Sequence, residues 1–278
     1  MKTALANSTV VVLCIVALSL TWAIPSAADF DLMSAVGVWL LNEGEGEEAK
    51  DSSPTGDHGT FFRNPVWVDG KFGKALEFDG QNFVWMKNAT GVPQGTSPRT
   101  LMCHFKWAEI NDWVDAAPWV SNAEYLISTG PGNWNQIVAV GIMEQGGAGL
   151  GIHTFNDRWF MPWDGDAEWH HLAVAFPKGA TNINEFLIYF DGVLREPEID
   201  QNAGPLDTGG GKVTIACESG FINNFFKGII DDVAIFPYEM PAEDIANIAK
   251  RGLVKGQGLD VSPHAKLATS WGDIKQTE

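Results

Sequence analysis

The feature that most constrains this chain is the shortness of its apolar segments. Eleven of them recur between Val36 and Phe236, each four to eight residues long, with turn residues in between. Strands have that length; helices of about 10–12 residues or more with a 3.6-residue apolar period do not. In Leu101-Met102-Cys103-His104-Phe105-Lys106-Trp107 the odd positions are apolar. That alternation predicts a half-buried strand with His104 and Lys106 turned away from the core. Asp191-Gly192 between Phe186–Phe190 and Val193-Leu194 predicts a hairpin, because glycine accepts positive φ there. Asp79-Gly80 and Gly209-Gly210-Gly211 mark further turns. One helix is expected near the end. Pro241 fits its first turn, Glu243 and Asp244 its positive end, and Lys250 and Arg251 its negative end. Gly252 is placed to stop it, and Ile245, Ile248 and Ala249 give it one apolar face. The pattern predicts an all-β fold, an antiparallel β-sandwich with one short C-terminal helix.

The first 28 residues stand apart. Lys2 supplies a charged start, and Val10–Trp22 is a mostly apolar run of 13 residues. A bilayer span needs about 20. Pro25 ends the run, and Ser26-Ala27-Ala28 supplies the small residues of a cleavage site. Residues 1–28 are therefore expected to be a signal peptide, 29–252 one domain, and 253–278 a tail. The mature chain is expected to be secreted, on the cell surface or periplasmic, without inserting in a membrane. It keeps Cys103 and Cys217, and an oxidising compartment permits either a bridge between them or two buried thiols.

Charge narrows the partners. The chain has 18 Lys and Arg against 35 Asp and Glu, a net charge of −17, which becomes −18 once the leader and its lysine are removed. Such a surface repels nucleic-acid phosphates and anionic lipid. Cations and sugars remain, since carboxylates bind the first and tryptophan faces stack on the second. Trp113, Trp119, Trp134, Trp159 and Trp163 fall in loop-like stretches rich in Asn, Asp, Gly and Pro. Of these, Trp113, Trp119, Trp134 and Trp163 are the candidate ligand-binding residues. Trp39, Trp85, Trp107 and Trp169 lie in strand segments and are expected in the core. Glu43, Glu45, Asp51 and Asp57 form an acidic loop cluster, expected to be solvated.

Six blocks carry a family resemblance. They are Val38–Gly46, Asp51–Gly59, Gly70–Gly80 ("GxxGxALxFDG"), Trp169–Val174 ("WHHxAxT"), Leu187–Gly192 and Phe226–Phe236 ("fxGxIDDVxIy"). Pro54 replaces a customary glycine, and Val174 a threonine. In this order the blocks resemble the laminin-G-like, concanavalin-A-like jelly-roll family. The resemblance implies a jelly roll. It also implies a structural calcium ion on the final-strand Asp231, with Asp232 adjacent. Gly80 and a carbonyl near Trp39–Leu41 would be partners. The alternative is that both aspartates accept backbone N–H groups at a strand end.

Catalytic patterns are missing from the sequence. No GxSxG or HExxH string occurs, and Glu196-Pro197-Glu198-Ile199-Asp200 lacks the third acid of the "ExDxxE" pattern of related hydrolases. Its proline suits a loop or edge. His170 and His171 are adjacent on a strand, so they point to opposite faces. The expectation is an exported, non-catalytic sandwich binding a glycan or another extracellular ligand such as a protein, stabilised by calcium. The alternatives are a polysaccharide hydrolase or lyase, or a structural or adhesion protein of the cell envelope.

Overall fold

The strand Arg99–Trp107 is buried on both faces, with only Lys106 partly exposed. In the computed structural model it runs through the centre of one of two antiparallel sheets. The residues described are 30–108, 122–131, 136–144, 148–154, 157–197, 199–201, 205–220 and 222–256. Among them the first sheet has eight strands. Its order is Val193–Arg195, Leu187–Phe190, Trp169–Phe176, Arg99–Trp107, Lys227–Phe236, Lys74–Asp79, Val66–Asp69, with Gly37–Trp39 also paired to Lys227–Phe236. The second has nine. It runs Ile199–Gln201, Asp157–Pro162, Ala148–Thr154, Val138–Glu144, Asn122–Thr129, Gly211–Ile215, Phe83–Ala89, Gly59–Phe62, Glu48–Ala49. The sandwich read from the sequence is the fold.

The period-2 alternation decides which side chains meet between the sheets. Leu101, Cys103, Phe105, Leu172 and Val174 from the first sheet pack with Leu126, Val140, Ile152 and Ile215 from the second. The other face of the first sheet carries Met102, Ala173, Ala175, Ala234 and Phe236. It is covered by Ile245, Ile248 and Leu253 of the helix Ala242–Gly256. This second layer corrects the half-buried reading of Arg99–Trp107, because His104 lies under the helix with no exposed surface. Gly252 takes φ +77° and breaks the helix where expected, but a further turn follows. Leu253, assigned to the tail from sequence, is fully buried.

All eleven segments read from the sequence lie within or overlap strands. Glu48–Ala49, Gly59–Phe62, Val66–Asp69, Asp157–Pro162 and Ile199–Gln201 were not legible. Each lies at or next to a sheet edge, where a strand has less apolar surface to bury. The bridge between Cys103 and Cys217 is not formed. Both are free, buried thiols in the core. Residues 1–29 and 257–278, with the leader and nearly all of the tail, lie outside the described residues.

Candidate ligand-binding face

The strand Phe83–Ala89 turns Val84 and Met86 into the core, opposite Ile215 and Val213. Phe83, Trp85 and Lys87 therefore stand on the outer face of the nine-stranded sheet. Its neighbour Gly59–Phe62 sets Thr60 opposite Trp85 and Phe62 opposite Phe83. The rings of Phe62 and Phe83 are 4.8 Å apart, those of Phe83 and Trp85 6.1 Å, and those of Phe83 and Phe225 6.0 Å. Phe225 is carried to this face by a bridge between its backbone and that of Tyr125. The result is an aromatic strip whose centre, Phe83, is sealed while Phe62 is 42% exposed and Trp85 and Phe225 are half-buried.

Two cations flank the strip. The Arg63 guanidinium lies 5.4 Å from the centroid of Phe62, and its Nη1 donates to Gln81 Oε1 at 3.2 Å. Lys87 Nζ lies 4.5 Å from the centroid of Trp85. Such contacts at exposed sites contribute about 0.5–1 kcal/mol. The indole Nε1 of Trp85 is buried and finds no acceptor. The placement corrects the sequence reading of Trp85 as a core residue: it sits on the outside of the second sheet, as Trp169 sits half-buried on the outside of the first. Trp39 and Trp107 are in the core as expected. A flat ring surface partly open to solvent beside exposed cations can take the apolar C–H face of a sugar ring and a polar or charged substituent next to it.

The tryptophans singled out from sequence lie elsewhere. Trp113, Trp119 and Trp134 fall outside the described residues. Trp163 is half-buried at one end of the sandwich, with its ring 5.5 Å from Trp107, 5.6 Å from His170 and 5.9 Å from Phe105. Trp159 packs on the core and donates from Nε1 to the Phe186 carbonyl. His170, beside Trp163, is held between Asp191 at 2.9 Å and Asp166 at 2.8 Å. Burial works against its charged form, but the two carboxylates prevail and hold its pKa above the ordinary value. Its neighbour His171 points the opposite way and is buried, as the strand geometry required.

Asp231 and Asp232 are both buried. Asp231 Oδ2 accepts from Phe72 N at 2.9 Å, which ties the final strand to the Gly70–Gly73 turn. Asp232 Oδ2 accepts from Leu253 N at 2.8 Å and secures the turn after the helix break. Burial raises both carboxyls, Asp231 to about 6. Gly80 is not brought to them. Its turn lies beside Lys227, four residues along the final strand from Asp231. Calcium takes six to eight oxygens, and no group of three acidic, histidine or cysteine side chains able to hold a metal occurs among the described residues. Asp231 Oδ1 is buried without a partner, and Gly80 stands apart from the aspartate pair; the calcium ion that the resemblance implies stays an expectation.

Two carboxylates were not recognised from sequence. Asp51 was read as solvated but is buried, accepting from the backbone N–H groups of Val38, Ser53 and Asp57. Glu124 is buried beneath the second sheet, where Trp107 Nε1 and Lys227 N donate to its Oε2. Burial pushes it up to about 7. Asp51 is held by the turn that follows it together with Val38, whereas Glu124 is buried by partners distant in the chain.

Comparison with known proteins agrees with this architecture. Residues 131–246 match the family Laminin_G_3, the concanavalin A-like lectin/glucanases superfamily. The resemblance read from the motifs holds over that stretch. Domain 4 of AbnA, a GH43 extracellular arabinanase from Geobacillus stearothermophilus solved with arabinotriose, is 16% identical. It aligns with a TM-score of 0.52 over 79% of this chain and 100% of its own. The binding domain of botulinum neurotoxin DC, solved with SialylT, is 14% identical. Its TM-score is 0.51 over 79% of this chain and 52% of its own. The binding domain of Paraclostridial mosquitocidal protein 1 is also 14% identical, with a TM-score of 0.51 over 78% and 52%. The chain thus spans about half the length of the two toxin binding domains. At these identities the likeness is one of fold. No curated protein matches the chain by sequence.

Proposed function

We propose that this chain is an exported carbohydrate-binding sandwich that holds a glycan without cleaving it. The observation that carries the reading is the strip Phe62–Phe83–Trp85–Phe225, a ring surface half open to solvent on the outer face of a sheet. Aromatic surface left open on a sheet face is a candidate contact for another molecule. The superfamily match supports the reading, because its description names lectins and glucanases. So does the full-length fold match to an arabinanase domain solved with a trisaccharide. Export rests on the leader-like residues 1–28.

The test is calorimetric titration of the purified protein with soluble oligosaccharides and polysaccharides, alongside an assay for released reducing sugar. Saturable binding without sugar release is expected, with Trp85→Ala and Phe62→Ala weakening it about tenfold or more. No binding by any glycan sinks the reading. Turnover lost with a single carboxylate substitution replaces it with an enzyme.

A further inference from the structure

The aromatic strip is flanked by charges of the unexpected sign. Carboxylates outnumber basic side chains almost two to one in this chain. Yet the charged groups resting on the exposed Phe62 ring and the half-buried Trp85 ring are Arg63 and Lys87. Among the described residues neither has a carboxylate within ion-pair distance. Lys74, by contrast, does pair with a carboxylate, Asp69. A lysine or arginine on an acidic protein ordinarily gains a little by lying near an acid. These two lie on aromatic faces instead, with positive charge unneutralised on either side of a platform.

We propose that this strip is a subsite for an anionic saccharide, a sugar bearing a carboxylate or a sulfate. The inference rests on the glycan-binding reading and names its ligand class. The apolar face of the sugar lies on Trp85 and Phe62. An anionic group is met by Arg63 at the Phe62 end of the strip or by Lys87 at the Trp85 end. Arginine suits this role, since its planar fork matches an oxyanion with two parallel N–H donors. Lysine suits it as a point charge on a flexible stem that can leave the Trp85 ring and follow the ligand. Glu48, opposite Thr60 in the same cross-strand row as Trp85, bounds the strip at the sheet edge with a like charge. The strong net negative charge works against long-range capture of an anion. Recognition therefore depends on these two local cations and on ring contact together.

The experiment is affinity gel electrophoresis and calorimetry of the purified protein. The probes are de-esterified polygalacturonate, the same polymer fully methyl-esterified, dextran sulfate and neutral dextran. Carboxylate and sulfate arms separate the two sources of negative charge. The expected result is retention by de-esterified polygalacturonate or dextran sulfate at least tenfold stronger than by the matching uncharged polymer. Arg63→Gln with Lys87→Gln abolishes that preference, and Trp85→Ala weakens binding of the charged polymer. Both cations are exposed, so the charge variants keep the wild-type melting temperature; Trp85→Phe serves as the conservative ring control. Equal retention of charged and uncharged polymers overturns the inference and leaves the glycan-binding reading standing. Retention of anions that ignores Trp85→Ala and Phe62→Ala overturns it as plain ion exchange. No retention of any polymer overturns both.

Discussion

His104 and His171 face each other across neighbouring strands with ring centroids 4.6 Å apart, both sealed from solvent. His104 Nε2 donates to the Ala249 carbonyl in the helix, at 3.2 Å. Its Nδ1 and both ring nitrogens of His171 have no partner. Asp231 is the next residue in the same cross-strand row, and Lys71 in the adjacent turn adds positive charge. Two strands, the final strand, a turn and the helix thus meet on one buried polar patch.

That patch has a pH signature. Burial holds His104 down to about 4 and His171 well below its ordinary value, so both are neutral in the fold. Unfolded, they protonate near pH 6.5. Below that pH the unfolded chain binds protons that the folded chain does not. Their share of stability is complete above about pH 6.5 and falls with pH by about 1.4 kcal/mol per unit per histidine. Asp231 and Asp232 oppose this, because burial raises them and their stability is lost as pH rises above the carboxylate range. His171→Leu isolates the histidine. Near pH 7 it should be close to neutral in urea unfolding, since it removes two unpartnered polar atoms. Its advantage over the wild type should grow from pH 7 to pH 5; a difference that does not change with pH would refute the buried neutral state.

His170 should behave in the opposite way. Asp191 and Asp166 raise its pKa, while both carboxyls are lowered in return. The ion-pair stabilisation is therefore present below pH 6.5 and is lost as pH rises through the raised value. An NMR titration of the ring should show a midpoint above 6.5, and Asp191→Asn should bring it down. A midpoint at or below 6.5 would contradict the clamp.

Asp51 should be the most sensitive carboxylate to remove. Its Oδ1 accepts from Val38 N and Ser53 N, and its Oδ2 from Ser53 Oγ, Thr55 Oγ1 and Asp57 N. Asp51→Ala leaves buried donors unsatisfied, at about 1–3 kcal/mol for each one that water cannot reach. The expected loss is about 2–4 kcal/mol in chemical unfolding, with Asp51→Asn losing less. A loss under 1 kcal/mol for the alanine variant would mean the loop holds without it.

The two core thiols should be silent. Burial raises Cys103 and pushes Cys217 up to about 12, so thiolate is scarce at neutral pH. A thiol reagent should leave the native protein unmodified and label both cysteines once it is unfolded in denaturant. A reductant should leave the melting temperature unchanged. A reductant-dependent melt, or missing thiols after unfolding, would restore the bridge.

Local chemistry made much of this fold legible. Alternating residues such as Leu101, Cys103 and Phe105 marked a sandwich-facing strand, Asp191-Gly192 a turn, and Gly252 a helix break. Each of these follows from neighbours in sequence, through side-chain period or permitted φ. The strip at Phe62 and Trp85 was not legible, because Gly59–Phe62 is a four-residue strand near a sheet edge. The ring contacts it makes come from Phe83–Ala89 and Phe225, and only sheet pairing brings them together.

By itself the sequence determined the class of fold, the acidic surface and the position of the helix, since these depend on composition and periodicity. The tertiary structure decided which polar groups are buried and which aromatic rings are exposed. A strand's alternation assigns side chains to two faces, but what covers each face is set by elements far away in the chain. The helix Ala242–Gly256 buried His104, while the second sheet left Phe62 exposed near its edge and Trp85 partly so. Desolvation by distant elements is what separates a histidine held neutral in the core from a tryptophan left partly open on a sheet face.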